Sequence, residues 1–120
     1  MSFDPDYAAE LFHALGPVRC RNMFGGTGVY AGELMFALEA GGVLYLKSDR
    51  STDQFFEAEG CEAFSYETRD GRRTIMSYWR MPDRLFDDPD ALAEFARRAL
   101  AVARAAKDGK PKRKRPARRS

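Results

Sequence analysis

Four short apolar segments between residues 18 and 48 limit the possible fold more than any other feature of the chain. They read VRCRNMF, GVYAG, ELMFALEA and GVLYLKS, and only small residues separate most of them. Parallel strands need a long crossover connection, whereas antiparallel strands can be joined by a tight turn. The segments therefore predict an antiparallel meander, with hairpin connections at Ala31-Gly32 and Gly41-Gly42.

The glycine-rich stretch RNMFGGTGVY, residues 21–30, interrupts the first of these segments. Phosphate-binding loops need G-x-x-x-x-G-K-[ST], or G-x-G-x-x-G between a strand and a helix, and these glycines fit neither pattern. A strand follows them, so no helix N-terminus stands behind them to hold an anion. We expect a bulge or sharp bend in one long strand, where glycine takes a positive φ or lets backbones approach. Met23 and Phe24 are then predicted in the core, with Tyr30 as a surface ring.

Three helices are expected around these strands. The first and last begin with the same Asp-Pro-Asp sequence, in which Asp caps the helix and Pro5 or Pro89 takes its first position. The first helix is predicted to end at Leu15. The second is predicted to start after Ser51, where STDQ has the spacing of a capping box, and to end at Gly60. The last helix carries an apolar stripe of Leu92, Phe95, Ala96, Ala99, Leu100 and Ala103.

Two further segments, EAFSYETR and RTIMSYWRM, flank Asp70-Gly71, a strong signal for a two-residue hairpin turn. The predicted order is helix, three-strand meander, helix, hairpin and helix. This order is typical of the α+β class, with helices packed on one face of an antiparallel sheet in two layers. We expect residues 1–106 to form this domain and residues 107–120 to be disordered, because the tail has almost no apolar residue to offset its ordering entropy.

The formal net charge of +2 conceals an asymmetry between the two parts of the chain. The segment 107–120 holds eight basic residues and one acidic residue, so 1–106 holds twelve basic and seventeen acidic residues. A basic tail can bind nucleic acid without sequence preference through counterion release, or it can simply keep the protein soluble. The candidate nucleic-acid contacts in the tail are Lys110, Lys112, Arg113, Lys114, Arg115, Arg118 and Arg119.

Catalytic and metal chemistry find little support in the composition. His13 is the single histidine, and Cys20 and Cys61 lie far apart, so no short metal-ligand spacing exists. We expect no metal, no cofactor and no catalytic residue, with both thiols reduced and His13 partly exposed on its helix. An enzyme hypothesis would need His13 beside a cysteine. Without a signal peptide or a long apolar run, the chain is predicted to be cytoplasmic and not bound to a membrane.

Aromatic residues near basic residues suggest a surface on the sheet for stacking nucleic-acid bases. Tyr45 with Lys47, and Tyr78 with Arg80, share strand faces in a way that suits base stacking on a sheet. We favour the alternative that the rings lie in the core, because three amphipathic helices need a sheet face to cover.

Several of these segments together resemble a known family. The pattern R-x-M-F-G-G-x-G-x-Y, then M-F-A-L and L-Y-L-K, and finally M-S-Y-x-x-x-P is similar to that of the N-terminal domain of the TfoX (Sxy) family. The resemblance extends from about Tyr7 to Ala106. It implies an α+β fold similar to secretion chaperones. The pattern residues, expected to be mainly structural, are Arg21, Met23, Phe24, Gly25, Gly26, Gly28, Tyr30, Lys47, Ser77 and Tyr78.

The resemblance also implies a bacterial regulator of DNA transformation (competence) without catalysis. We expect a regulatory module that contacts a protein partner, either the transcription machinery or a regulator. The alternative is a nucleic-acid-binding module that uses the basic tail and the sheet aromatics. Full-length family members carry a second, helical domain where this chain has its tail, so we expect a stand-alone domain. An unpaired sheet edge would allow a homodimer.

Overall fold

The computed structural model describes residues 4–23, 26–67 and 73–108. These ranges form one antiparallel sheet of six strands with three α-helices and a 3₁₀ turn. The helices are α1 (Pro5–Leu11), α2 (Asp53–Ala58) and α3 (Pro89–Asp108), and the 3₁₀ turn spans Asp83–Asp87. The strands are β1 (Arg19–Met23), β2 (Gly26–Ala31), β3 (Leu34–Ala40), β4 (Val43–Lys47), β5 (Ala63–Glu67) and β6 (Arg73–Arg80).

The strands lie side by side in the order β1-β2-β3-β4-β6-β5. The first four follow one another as hairpins, and α2 then carries the chain to the far edge, where β5 begins. β6 returns between β5 and β4, with Glu67 opposite Arg73 across the second hairpin. The α+β class and the antiparallel sheet are confirmed. The predicted Asp70-Gly71 turn lies outside the described residues.

The prediction that the glycine-rich stretch bends one long strand is wrong. The stretch links two separate strands. Met23 pairs with Gly26, so β1 and β2 form a hairpin and the meander has four strands instead of three. Two residues suffice to reverse an antiparallel pair. Close backbone approach does apply at Gly26, because a Cβ there would collide with the main-chain oxygen of Glu39. Of the two expected roles of glycine here, Gly26 has the close backbone approach and not the positive φ. Phe24 and Gly25 lie outside the described residues.

A β-bulge separates the two ends of the β2–β3 pair. Val29 pairs with Ala37, but its neighbour Tyr30 pairs with Met35, which leaves Phe36 as an extra residue on β3. A bulge lets consecutive residues share one side of a strand. Phe36 and Ala37 are accordingly both fully buried in the same core, while Tyr30 stays on the opposite face of the sheet.

The first helix begins as predicted and ends early. Asp4 Oδ1 accepts a hydrogen bond from the main-chain N–H of Asp6 at 3.0 Å, and Pro5 occupies the first helical position. The α-helix ends at Leu11 instead of Leu15. The chain turns at Phe12, which is buried in the core against Phe36.

The second helix does not use the predicted capping box. It begins at Asp53 after Thr52, and the Gln54 side chain reaches only the main-chain oxygen of Ser51, at 3.4 Å. The Ser51 hydroxyl donates instead to the Asp49 carboxylate at 2.6 Å. A charged acceptor makes the stronger bond, so the serine is unavailable for the helix.

The third helix begins as predicted and extends further. Asp88 Oδ1 accepts from the main-chain N–H of Ala91 at 3.2 Å. The helix continues past Ala106, where we placed the domain boundary, and ends at Asp108. The disordered tail stays a prediction, because residues 109–120 lie outside the described part. The predicted stripe is buried at Leu92, Phe95, Ala96, Ala99 and Ala103, with Leu100 half-buried and Ala93 and Val102 buried besides.

One hydrophobic core lies between the helices and one side of the sheet, which we call the helix face. α3 packs over β3 and β4, α1 against β1 and α2 against β6. Phe56 of α2 joins the layers, since its ring stacks on Trp79 at 5.9 Å and meets Phe95 edge-on at 5.6 Å. Leu44 and Leu46 line the same core from β4.

Candidate functional site: the open face of the sheet

The second side of the sheet, which we call the open face, carries no helix within the described residues. Side chains alternate along a strand, and register partners share a face. Val29, Leu46 and Trp79 point into the helix-covered core. Their neighbours Tyr30, Lys47, Tyr78 and Arg80 therefore project from the open face.

One row of register partners crosses five strands on the open face. It runs through Arg21, Gly28, Leu38, Tyr45 and Arg80. The arginines at its two ends are exposed, and Leu38 in the middle is buried without belonging to the helix-covered core. The row therefore has a cation at each end and apolar surface between them.

Two cations lie against tyrosine rings beside this row. The Arg19 guanidinium lies 4.9 Å from the ring centroid of Tyr30, and its Nε donates to the main-chain oxygen of Gly32 at 3.1 Å. Lys47 Nζ lies 5.0 Å from the ring centroid of Tyr78. Both contacts are cation–π interactions, which hold the charges close to the sheet.

Burial changes the titration of the Lys47 and Tyr78 side chains. Desolvation lowers the pKa of Lys47, and the nearby Asp49 carboxylate opposes that shift more weakly. Desolvation, with a smaller contribution from the nearby Tyr30, raises the pKa of Tyr78 to about 12. Tyr78 is 5% exposed, so its neutral phenol is sheltered and remains a hydrogen-bond donor at physiological pH.

Charge is segregated between the two layers. The cations of the open face, which we call the basic quartet, are Arg19, Arg21, Lys47 and Arg80. Within the described ranges, acidic side chains approach two of the four cations: Asp49 lies near Lys47, and Asp83 Oδ1 lies 3.8 Å from Arg80 Nη2 in an exposed ion pair. Neither acidic residue belongs to a strand. Glu39 is on the helix face, where its carboxylate accepts from the Gly42 N–H at 2.8 Å. Acidic residues of the helices, their caps and the 3₁₀ turn include Asp4, Asp6, Glu10, Asp53, Glu57, Glu59, Asp83, Asp87, Asp88, Asp90 and Glu94.

The expectation that aromatic rings lie beneath the helices is right for Phe36 and Trp79. It is wrong for Tyr45 and Tyr78, because strand alternation directs them to the other face, where Tyr30 also lies in agreement with its predicted surface position. Tyr45 meets Phe64 edge-on there, with centroids 4.6 Å apart. Two of the three tyrosine rings are covered by cations, which leaves little free ring surface for stacking.

Residues of the family pattern that are distant in sequence meet on the open face. Arg21, Gly28, Tyr30, Lys47 and Tyr78 all belong to it. Gly26 has a structural role at the close approach to β3, and Ser77 is exposed, with its main-chain oxygen accepting from Ser48 N–H at 2.9 Å. The Met23 side chain, Phe24, Gly25 and the seven tail cations lie outside what the structure describes.

Sequence analysis missed Arg19, the cation over Tyr30. The signal was present, because in VRCRNMF the alternation puts Arg19 and Arg21 on one face and Cys20 on the other. The structure confirms that alternation, since Cys20 packs against the helix-covered core.

The cysteines and the histidine do not form a catalytic arrangement among the described residues. Burial raises the pKa of both thiols, and the Asp4 and Glu59 carboxylates add to the rise at Cys20 and Cys61 respectively. Activated cysteines show the opposite shift. His13 is exposed in the turn after α1, in a groove that neither cysteine lines.

The described ranges contain neither a metal-binding cluster nor a membrane-spanning helix. No group of three or more His, Cys, Asp or Glu side chains there is arranged to hold a metal ion. None of the described helices has the length and apolar character needed to cross a membrane.

The fold defines a two-layer α+β domain with helices on one side of an antiparallel sheet and a basic, tyrosine-containing face on the other. The family model of the TfoX N-terminal domain matches residues 10–103, and the chain belongs to that family. It is similar to DNA transformation protein TfoX1 of Aliivibrio fischeri (strain ATCC 700601 / ES114), with 30% identity over 90 residues. The match covers 75% of this chain and 43% of that relative, so the chain spans less than half of the relative's length.

The resemblance predicted from the motifs is thereby confirmed, and the chain is related to a protein of DNA transformation. The comparison does not test whether the domain stands alone, so that expectation stays a prediction.

Proposed function

We propose that this protein is a non-enzymatic regulatory module of DNA transformation that acts in the cytoplasm by contact with a protein partner. One observation carries the proposal: pattern residues that are far apart in sequence gather on the face that the described helices leave uncovered. Tyr30, Lys47 and Tyr78 come from three different strands. The helix-covered core does not include them, and Tyr30 and Lys47 are partly exposed, so a surface role accounts for these two positions better than core packing does. Tyr78 is buried beside them and positions Lys47 through its ring.

The low accessibility of the tyrosine rings on the open face favours a protein partner over single-stranded nucleic acid. Base stacking needs a free aromatic face. Arg19 lies over Tyr30, Lys47 lies over Tyr78, and Tyr78 is only 5% exposed. A protein surface can instead use the cations and the ring edges without displacing anything. The raised thiol pKa values support a module that acts by binding.

Site-specific photocrosslinking in the source cells tests this proposal. A photoreactive amino acid replaces Arg21, which is exposed on the open face, or Arg97, which is exposed on α3 and serves as the matched control. We expect protein crosslinks from position 21 that position 97 does not give. Equal crosslinking from both positions, or crosslinks from position 21 to nucleic acid alone, would refute a protein contact at this face.

Gene deletion tests the regulated process. We expect deletion to lower transformation frequency and the transcript levels of DNA-uptake genes. The wild-type chain and Arg97→Glu should restore both, and Arg21→Glu should not. If deletion changes neither quantity, the assignment to DNA transformation is wrong.

A nucleic-acid-binding module is the second candidate, and one contact favours it. Lys107 Nζ lies 3.3 Å from Glu33 Oε1, which brings the end of α3 beside the β2–β3 turn. Arg19 bonds to Gly32 in the same turn, so the basic tail sequence begins next to the open face.

Fluorescence anisotropy with duplex DNA over a salt series tests the second candidate. The full chain is compared with a variant in which glutamine replaces the tail cations. Eight basic residues would give a log–log salt slope no steeper than about −7. Binding that vanishes in the variant assigns the affinity to the tail. Binding that persists makes the folded domain a nucleic-acid-binding surface.

A further inference from the structure

We propose that the open face binds an acidic protein segment that lies across the strands, held by the basic quartet. This inference rests on the proposed function and names the chemistry of its partner.

The positions of the quartet define the spacing of the partner's charges. Arg19 and Arg21 lie on β1, while Lys47 and Arg80 lie on β4 and β6. Adjacent strands are about 4.8 Å apart, so the two ends of the row that crosses five strands are separated by about 19 Å. An extended segment rises about 3.3 Å per residue. It would therefore place two acidic groups about six residues apart.

The surface between the cations favours apolar residues in the middle of the partner segment. Leu38 and Tyr45 occupy the centre of the row, and Met35 and Tyr30 flank it on β3 and β2. Gly28 contributes no side chain between Arg21 and Leu38, so nothing projects from β2 at that point of the row. The complementary sequence is acidic at both ends and apolar between them.

Charge complementarity decides between the possible occupants. A second copy docked face to face would oppose the quartet with itself, and like charges directly opposed are destabilising. Head-to-tail docking onto another copy's acidic helices is a heterologous contact, which forms an open chain of copies unless the rotation between them closes a ring. Nucleic acid would have to displace the cations from the rings before bases could stack. An acidic polypeptide has none of these problems.

The acidic helix layer orients the encounter. Acidic residues of the helix layer outnumber its basic residues, which are Arg84, Arg97, Arg98, Arg104 and Lys107 in the described ranges. This excess disfavours an approaching carboxylate-rich segment there, whereas the open face attracts it. Such local fields guide association even when the net charge is small. The segregation therefore selects one face of the domain for an acidic partner.

Anisotropy with defined probes tests this inference on the folded chain of residues 1–120. The probes are a labelled peptide that has Glu residues about six positions apart with apolar residues between them, and an oligothymidylate with the same number of negative charges. The tail cations are replaced by glutamine throughout, so that binding reports on the domain. Arg21→Glu is compared with Arg97→Glu, because both positions are exposed and only the first is on the open face. Circular dichroism confirms that each variant folds.

We expect the acidic peptide to bind and Arg21→Glu to weaken it about fivefold, as expected for one exposed charge contact reversed. Arg97→Glu should change binding by less than about twofold. Equal weakening by both variants, no binding of the peptide, or tighter binding of the oligothymidylate would each overturn the inference. Self-association that explains the signal without peptide would do the same.

The two proposals fail in different ways. One outcome is protein crosslinking from position 21 together with peptide binding that Arg21→Glu does not weaken. This outcome would overturn the acidic-segment inference without contradicting the proposed regulatory function. Absence of any protein crosslink from position 21 would remove the proposed function itself.

Discussion

Tyr78 makes the stability of the domain depend on pH in the alkaline range. Its pKa is raised from 10.0 to about 12 in the folded protein, because burial disfavours the phenolate. Below pH 10 the phenol is neutral in both states and has no pH-dependent effect. Between about pH 10 and 12 the unfolded chain loses this proton first, so the folded state is progressively destabilised. Each pKa unit corresponds to about 1.4 kcal/mol, and partial water access reduces the total loss to about 2 kcal/mol.

Comparison with Tyr78→Phe separates this effect from the titration of the lysines and of the other tyrosines, which occurs in the same pH range. Urea unfolding is followed through the fluorescence of Trp79, the single tryptophan, at neutral and alkaline pH. We expect the free energy of unfolding of the wild type to fall relative to the variant by about 2 kcal/mol as the pH approaches 12. Parallel pH dependences of the two proteins would refute the argument that Tyr78 is sheltered.

Three further predictions concern the close strand contact at Gly26, the cap of the third helix and the two thiols. Gly26→Ala should destabilise the domain by about 2 kcal/mol in urea unfolding, because the added methyl group collides with backbone on β3; a neutral effect would contradict the close approach. Asp88→Ala should cost about 1 kcal/mol through loss of the cap, measured by thermal unfolding against the exposed neighbour control Asp87→Ala; equal effects would exclude capping. Cys20 and Cys61 should alkylate no faster than free cysteine at neutral pH, and rapid modification of either would revive an enzyme hypothesis.

Local signals predicted much of the fold. The caps at Asp4 and Asp88, the prolines after them and the turn glycines act within a few residues of their own positions, so the sequence alone carries them. Gly41 and Gly42 have φ of 60° and 84°, as the predicted hairpin requires. The capping box at Ser51 was wrong for a local reason too, since Asp49 competes for the same hydroxyl.

The open face is formed by pairing between strands that are distant in sequence, and only part of it could be predicted from the sequence. Pairing of β4 with β6 brings Lys47 to Tyr78, and no local pattern specifies that β6 inserts between β4 and β5. The pattern residues themselves were identified through the family resemblance. Their assembly on an uncovered face was not predicted, because we expected Tyr45 and Tyr78 beneath the helices.

The bulge at Phe36 reverses the alternation of β3 halfway along the strand. On one side of it, odd-numbered residues such as Ala37 face the helices; on the other side, odd-numbered Met35 faces away from them. If apolar and polar residues simply alternated along β3, half of the strand would therefore have its apolar residues on the open face and its polar residues in the core. Deleting Met35 would put Phe36 beside Tyr30 on the open face and leave Phe12 without its partner ring. The extra residue thus allows one short strand to serve both the core and the open face, and relatives that keep both faces should keep its length.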